Sequence, residues 1–257
     1  MNKAKLTMGA LVLPALLAGC GQNGTSDKTI IEQPSVEVKD GMFSAEVLEA
    51  LGRVDNATPS PDGKTIIFTL TYESIEENAS NAEIYRMNAD GTDMKRLTTT
   101  PSSESNLRWI DGGNLIAFIA KDEETEKAQV FTMKPDGSGM KRVSNLENGV
   151  MCFEISPDES KIVFGSLISS EDKDPALFEG LPKTSGRVIN DLMYKHWDEW
   201  VTEIPHPFVA DFKTGSGYEV ANETDIMKGE PFECPMKPFG GAETFAWSPD
   251  SKKLVYT

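Results

Sequence analysis

The chain has 257 residues and a formal net charge of −16 at pH 7. This charge argues against binding to nucleic acid, and also against adhesion to anionic lipid through charge alone. An excess of acidic residues is otherwise typical of a surface that keeps a protein soluble.

The first twenty residues predict a bacterial lipoprotein signal. Lys3 and Lys5 form a positive start, and the apolar run 6–17 is too short for a bilayer, which needs about 20 residues. The Leu-Ala-Gly-Cys sequence at 17–20 resembles a lipobox, in which Cys20 becomes the acylated first residue. An ordinary signal peptide with an incidental cysteine is the alternative. A lipid on Cys20 would anchor the protein to a membrane of the cell envelope, in the periplasm or at the outer membrane.

Two short segments lead from this signal to the folded domain. Residues 21–41 are polar and contain Gly, Ser, Thr and Gln, which predicts a flexible tether. Ser44 can cap a short helix, Glu46 suits its first turn and Gly52 can end it. We expect the folded domain to occupy residues 42–257.

A strand–turn–strand unit occurs twice in the chain, 46 residues apart. Residues 84–97 are matched by residues 130–143, with Met, Asp, Gly, Met, Lys and Arg at corresponding positions. A period in the forties, built from short strands and Asp-Gly turns, is typical of β-propeller blades. One blade cannot bury its own faces, so the repeat predicts the architecture.

Each repeat is introduced by a Ser-Pro-Asp type of turn and an apolar strand. Pro presets φ at the first corner, Asp binds its own backbone, and Gly accepts a positive φ. The turns are found at four places, the second of them degenerate: 60–64, 109–113, 156–160 and 248–251. A further outer hairpin is predicted at 208–218, after an insert at about 167–203.

These elements predict an all-β fold, a partial β-propeller with WD40-like or TolB-like blades. The chain would hold three blades and the first half of a fourth, whereas propellers close with about four to eight blades. Since Thr257 lies inside an apolar strand, a terminus there would leave a bare strand edge. We therefore interpret the sequence as the front part of a longer protein.

Several side chains have two interpretations. Cys152 and Cys234 can pair in an oxidising compartment, or can remain buried free thiols. Residues 88–93 resemble half of a calcium loop but lack the closing Glu, which favours a hairpin turn. The Lys-Arg pairs at 95–96 and 141–142 are interpreted as edge charges that discourage aggregation.

The insert contains a cluster of aromatic and ionisable residues at 196–200. In one interpretation, Trp197 and Trp200 pack the insert onto the propeller and the charged groups are solvated. No metal site is predicted at His196 and His206, because the spacing is not that of metal ligands.

Two features together resemble the N-terminal domain of the prolyl oligopeptidase family (S9) of serine peptidases. One is the capped helix followed by a blade that opens with Ser-Pro-Asp-Gly-Lys. The other is Tyr-Lys-His-Trp-Asp-Glu-Trp at 194–200, similar to the insert of dipeptidyl-peptidase and acylaminoacyl-peptidase-like members. In those members a His-x-Phe-Val-x-Asp strand follows, which is found here at 206–211, and Phe-Gly-Gly at 239–241 also fits. The resemblance covers about residues 42–257.

The resemblance implies a propeller that caps an α/β-hydrolase domain and restricts entry to short peptides, with no cofactor. The nucleophile would lie in Gly-x-Ser-x-Gly, followed by Asp and His. The chain contains no such motif, so the hydrolase domain would lie elsewhere and this chain would hold no catalytic residue.

The resemblance also implies roles for the insert. In exopeptidases of this family, acidic side chains on the propeller hold the amino terminus of the substrate, since a desolvated ammonium needs a charge partner. Glu199 and Glu203 are the candidates for this role. His196, Trp197 and Trp200 are candidates for contact with the substrate or with the hydrolase domain.

Two other interpretations remain open. Ser-Pro-Asp-Gly repeats also occur in TolB-like propellers, so the chain can be a lipoprotein that binds other proteins without catalysis. It can also be a truncated product whose open sheet edges lead to aggregation.

Overall fold

The predicted fold class is confirmed by the arrangement of the sheets. The structure is a computed structural model that describes residues 30–169, 183, 195–197, 199–215 and 217–257. Three four-stranded antiparallel sheets follow one another along the chain, and a two-stranded sheet comes after them. The proposed acylation site, Cys20, lies outside the described residues. No helix in the described ranges is long and apolar enough to cross a bilayer.

A short helix precedes the first blade, as predicted. Helix α1 comprises Ala45–Glu49, and the Ser44 Oγ accepts a hydrogen bond from the backbone N–H of Val47 at 3.4 Å. Gly52 follows the helix in close contact with the blade, because a Cβ at this position would lie 2.7 Å from Leu70 Cδ1. The helix and the first strand are therefore held against the sheet.

The first two blades have the same plan of four strands paired in chain order. The first blade contains β1 (Arg53–Pro59), β2 (Thr65–Ser74), β3 (Ala79–Asn88) and β4 (Lys95–Arg96). The second blade contains β5 (Ser105–Ile110), β6 (Leu115–Lys121), β7 (Ala128–Met133) and β8 (Lys141–Arg142). The inner strands β1 and β5 are irregular at Asn56 and Asn106, which have φ values of 53° and 55°. Asparagine tolerates this left-handed conformation better than most residues do.

The third blade has the same order of strands but a long connection in its middle. The strands from Cys152 onwards are β9 (Cys152–Ile155), β10 (Lys161–Ser169), β11 (Lys195–His196), β12 (Glu199–Trp200), β13 (Glu203–Thr214), β14 (Gly217–Asp225), β15 (Phe245–Trp247) and β16 (Leu254–Tyr256). Strands β9, β10, β13 and β14 form the blade, so the outer hairpin predicted at 208–218 is present. Strands β15 and β16 pair with each other after it. The expected insert, 167–203, overlaps the ends of β10 and β13, which pair as far as Ser169 and Glu203.

The core lies between the blades. One buried cluster joins the second and third blades and includes Phe153, Phe164 and Phe212. Another joins the first and second blades through residues such as Ile84 and Phe118. Burying apolar surface contributes about 25 cal/mol per Å², so neighbouring blades stabilise each other.

The two edges of each blade differ in the length of their connections. Tight turns join β1 to β2, β3 to β4 and their equivalents at one edge. The other edge, called the long-loop edge below, carries α1 and the connections 75–78, 97–104, 122–127, 143–151, 170–202 and 226–244. Four of these, 97–104, 143–151, 170–202 and 226–244, are longer than the turns at the first edge. The candidate residues of the insert are therefore found at this edge.

Three smaller predictions have clear outcomes. Asp90 Oδ1 accepts hydrogen bonds from the N–H and hydroxyl of Thr92, which is the hairpin turn expected at 88–93. Cys152 and Cys234 are unpaired, buried thiols in one apolar cluster, and burial raises the pKa of Cys152 to about 12. Arg96 lies on β4, the edge strand of its sheet, and it also pairs with the buried Glu83 at 2.8 Å, which was not predicted.

The Ser-Pro-Asp turns are held by their aspartates. Asp158 Oδ1 accepts hydrogen bonds from the N–H of Ser160 at 3.0 Å, the Ser160 hydroxyl at 2.8 Å and the Ser156 hydroxyl at 2.8 Å. These three hydrogen bonds, of which the one from the Ser160 N–H has the largest effect, hold the pKa of Asp158 well below its usual range. The ionised carboxylate therefore stabilises this turn.

We expect Asp158→Asn to lower the melting temperature at pH 7 and to have a smaller effect at pH 3. A depressed folded-state pKa contributes stability above the unfolded pKa, and this contribution is lost as the pH falls through the folded pKa. Thermal unfolding of both proteins at the two pH values measures the difference. Glu123→Gln, on an exposed loop, is the control and should change little. An Asp158→Asn effect of equal size at both pH values would contradict this prediction.

Candidate functional site

The hairpin of β11 and β12 brings four of the predicted site residues together at the long-loop edge. Lys195 lies opposite Trp200, and His196 lies opposite Glu199. The Lys195 Nζ is 4.7 Å from the centre of the Trp200 ring, a distance typical of cation–π contacts. Trp197 occupies the turn with a φ of 55° and is 73% exposed. The hairpin therefore presents a tryptophan to solvent from a backbone conformation that non-glycine residues adopt only infrequently.

The tip of the hairpin contacts the loop 226–244. The ring centres of Trp197 and Phe239 are 5.9 Å apart with an angle of 67° between the planes, an edge-to-face pair. The ring of His196 also contacts Trp197, with 5.8 Å between the two ring centres. We call Trp197, Trp200 and Phe239 the aromatic patch. Their exposed fractions of 73, 42 and 83% make it an apolar surface of the third blade.

The loop 226–244 is held on β13 by a buried histidine. His206 is fully buried, and its Nδ1 is 2.9 Å from Asp225 Oδ2 while its Nε2 is 3.1 Å from the Glu230 carbonyl oxygen. Both neighbours are acceptors, so both bonds form when the imidazole carries a proton on each nitrogen. The N–H of Cys234 adds a bond to the Pro205 carbonyl at 2.9 Å. His206 is thus an anchor of the loop, with neither nitrogen left to bind a metal.

Close packing on β10 fixes the same loop. A Cβ added at Gly165 would lie 2.9 Å from Pro235 Cδ, so the proline ring lies directly on this strand. It would also lie 3.4 Å from the Cys152 Sγ. Glycine is required here because a larger residue would displace the loop that carries Phe239.

The structure places the predicted residues as follows. His196 is half-buried, whereas Trp197, Trp200 and Glu203 are exposed. Glu203 is the first residue of β13, opposite Ser169, just beyond the hairpin. The side chain of Glu199 is outside the described part of the chain. The ring of Trp197 is largely exposed and lies against the rings of His196 and Phe239.

A second feature, which the sequence reasoning missed, lies where the inner strands meet. Arg108 on β5 binds Glu154 on β9 through its Nε at 3.0 Å and its Nη2 at 2.6 Å, both to the same carboxylate oxygen. A cleft of about 440 Å³ is lined by residues of the inner strands β1, β5, β9 and β15 and of the loop before β15, among them Asn56, Asn106, Arg108, Glu154, Glu243 and Phe245. The sequence offered one signal of this pair, because Arg108 and Glu154 are 46 residues apart, which is the period of the repeat.

The described residues contain no group of three or more His, Cys, Asp or Glu side chains that could hold a metal ion. The two features offer surfaces for binding: an apolar surface at the long-loop edge, and a polar cleft along the inner strands.

The known proteins similar to this chain include two with the same name. No family model matches the chain. It is 41% identical over 214 residues to dipeptidyl-peptidase 5 of Porphyromonas gingivalis, which covers 83% of the chain and 31% of that protein. It is 31% identical over 251 residues to dipeptidyl-peptidase 5 of Porphyromonas endodontalis, covering 96% of the chain and 34% of that protein. The chain thus spans about a third of the length of these relatives.

Among solved structures, an acylaminoacyl peptidase in complex with Z-Gly-Gly-Phe-chloromethyl ketone has a TM-score of 0.52 and 16% identity. The match covers 71% of this chain and 26% of that one. At this identity the match concerns the fold alone.

Proposed function

Since the chain belongs to the prolyl oligopeptidase (S9) family as part of its β-propeller, we propose that it forms the substrate-gating portion of a cell-envelope serine peptidase that cleaves short peptides. The observation that carries the proposal is the 41% identity with a dipeptidyl-peptidase over 83% of the chain. A non-enzymatic, TolB-like propeller that binds other proteins is the alternative.

The catalytic step in this proposal belongs to an α/β-hydrolase domain outside these 257 residues. The chain lacks Gly-x-Ser-x-Gly, the turn that exposes the nucleophilic serine in that fold. The inner-strand cleft, which is lined by polar groups and the Arg108–Glu154 ion pair, is proposed to lie on the path of the substrate to that domain. Attachment to the membrane through a lipid on Cys20 is part of the same proposal.

The long-loop edge of the third blade is proposed to face the substrate and the hydrolase domain. The aromatic patch offers the large, rigid apolar surface that interfaces favour. Glu203, exposed at the start of β13, supplies a carboxylate beside it. A peptide with a free amino terminus carries the complementary positive charge, so Glu203 and Glu199 are the proposed partners of that group.

We expect Glu203→Gln, made in the polypeptide that also carries the hydrolase domain, to raise KM about tenfold for substrates with a free amino terminus. The loss of one charged partner of the substrate's amino terminus removes binding energy of this order, while kcat should change little. Steady-state kinetics with a dipeptidyl p-nitroanilide measure both constants. Glu219→Gln, an exposed substitution on β14, is the matched control. Equal KM values for the Glu203 and Glu219 variants would exclude this role for Glu203.

The function itself is tested with three reactions. The complete gene product should release p-nitroaniline from dipeptidyl substrates with a free amino terminus. It should release much less from the same substrates with a blocked amino terminus. The 257-residue chain alone should release none. Turnover by the chain alone would overturn the division of labour proposed here, and failure of the complete product on every peptide substrate would favour the protein-binding alternative.

A further inference from the structure

The first blade buries two carboxyl groups next to each other. Glu83 lies on β3 and Glu104 lies in the connection 97–104, and their exposed fractions are 3 and 1%. Buried carboxyl groups are uncommon unless each is compensated by a partner. The contacts of the two side chains are therefore informative.

Glu83 has three partners on one oxygen and none on the other. Its Oε1 accepts hydrogen bonds from Arg96 Nη2 at 2.8 Å, Asn81 Nδ2 at 2.9 Å and the N–H of Thr100 at 2.9 Å. Its Oε2 is buried without a hydrogen-bond partner. An unpaired acceptor at this depth costs about 1–3 kcal/mol, so a donor is missing from this list.

Glu104 is the neighbour that can supply the donor. Its two oxygens accept bonds from the hydroxyls of Thr98 at 2.7 Å and Thr100 at 2.6 Å. Burial, together with the nearby carboxyl of Glu83, raises the pKa of Glu104 to about 7, although the two threonine hydroxyls lower it. A protonated Glu104 can donate to Glu83 Oε2, which satisfies both groups.

The second blade builds the same connection without carboxyl groups. With the repeat of 46 residues, Glu83 corresponds to Gln129, Thr98 to Ser144 and Glu104 to Val150. The Oε1 of Gln129 accepts bonds from the Ser144 hydroxyl at 2.5 Å and the Leu146 N–H at 3.0 Å.

The backbone is also equivalent in the two blades. The N–H of Glu104 binds the Ala82 carbonyl at 2.9 Å, and the N–H of Val150 binds the Ala128 carbonyl at 3.0 Å. The blade therefore folds with an amide and a valine at these positions. The two acids are an addition to the common plan, not a requirement of it.

The charges around the pair leave one proton to be accounted for. Arg96 is the cation bound to Glu83, and its Nη1 also binds the exposed Glu32 of the N-terminal segment at 2.8 Å. Tyr72 and Tyr85 also face this arginine, and burial raises the pKa of both above the usual value. If both buried carboxyl groups were ionised, the single guanidinium of Arg96 would leave one negative charge uncompensated at low dielectric. A proton shared by the two carboxyl groups removes this charge.

We propose that Glu83 and Glu104 share one proton and form a pH-operated latch, which holds the connection 97–104 on the first blade in acid and releases it when Glu104 ionises. In the released state two carboxylates repel each other beneath the connection. The connection leads directly into β5, which carries Asn106 and Arg108 of the inner-strand cleft. Release of the latch thus changes the segment that positions the wall of this cleft. This inference does not depend on the proposed peptidase function.

The sign of the effect follows from the raised pKa. A group that binds its proton more tightly when folded stabilises the closed state fully below the unfolded pKa, and this contribution is lost as the pH rises through the folded pKa. The window for the latch therefore lies between about pH 4.5, the ordinary value, and about pH 7.

Amide hydrogen exchange of the full chain at pH 5 and pH 8, corrected for the intrinsic pH dependence, tests the latch. Protection of the amides in 97–104 should fall about a hundredfold between these pH values, since each unit of pKa difference is a factor of ten. The equivalent connection 143–150 is an internal control and should be unchanged. Equal behaviour of the two connections would overturn the proposal.

Two variants distinguish the shared proton from a general pH effect. Glu104→Gln keeps hydrogen-bonding groups and cannot ionise, so it should retain protection of 97–104 at pH 8. The double variant Glu83→Gln and Glu104→Val copies the second blade, and it should behave in the same way. Carbon-13 NMR of the side-chain carboxyls provides a readout in the unmodified chain. A carboxyl that titrates near pH 7 is expected, and ordinary titration of all glutamates below pH 5 would contradict the proposal.

Discussion

Asn106→Ala is expected to lower the free energy of unfolding by about 3–4 kcal/mol. Asn106 Nδ2 donates to the Phe153 carbonyl at 3.0 Å, and Asn106 Oδ1 accepts from the Phe153 N–H at 3.0 Å, so one buried side chain joins the second blade to the third. Alanine would leave both backbone groups of Phe153 unpaired, at about 1–3 kcal/mol each. It would also occupy a left-handed backbone position that suits asparagine better. Urea unfolding monitored by circular dichroism measures the change.

Asn56→Ala is the matched control for this substitution. Asn56 lies at the same irregular position of the first blade with nearly the same φ, but its side chain donates to Thr69 of its own blade, at 3.4 Å, and to no other described residue. Both variants share the backbone cost, and only Asn106→Ala removes a bond between blades. Equal losses of stability would show that the inter-blade bond contributes little.

His206→Ala is the second substitution with a large expected effect, about 3–5 kcal/mol, because a large buried side chain and its hydrogen bonds are lost. It removes the partner of Asp225, leaves the Glu230 carbonyl without its donor, and creates a cavity in a fully buried position. The loop 226–244 should loosen as a result, which would separate Phe239 from Trp197. Thermal unfolding measures the stability, and tryptophan fluorescence reports on the contact at Trp197.

His196→Ala serves as the control because it is the other histidine of the chain. It is half-buried on the hairpin, so we expect a loss below about 1 kcal/mol. If His206→Ala were as mild as His196→Ala, the histidine would not anchor the loop.

The architecture could be predicted from the sequence because it is repeated. The unit at 84–97 returns at 130–143, and the Ser-Pro-Asp turns locate the strands that follow them, so the order of strands was readable. The ends of the insert were less predictable. Strand β10 continues to Ser169 because pairing with β13 continues to Glu203, which is decided by tertiary contacts and not by local pattern.

The candidate site was predictable only in part. The cluster at 196–200 was visible as composition, but its contact with Phe239 depends on how the loop 226–244 folds back over β10. That path is set by His206 and by the absence of a side chain at Gly165, which no local pattern reveals. The ion pair of Arg96 was missed because its partner, Glu83, lies on the neighbouring strand. A comparison of the two repeats position by position would have shown the exchange of Val150 for Glu104.

Active-site labelling of the native protein tests the central claim most directly. A fluorophosphonate probe, which reacts with activated serines, is added to envelope fractions, and the protein is then captured with an antibody against the propeller. We predict that one polypeptide carries both the label and this chain, at about three times the 28.2 kDa mass of the chain, as the coverage of its relatives indicates. A captured propeller polypeptide that the probe does not label, under conditions where other serine hydrolases of the fraction react, would contradict the assignment to a serine peptidase.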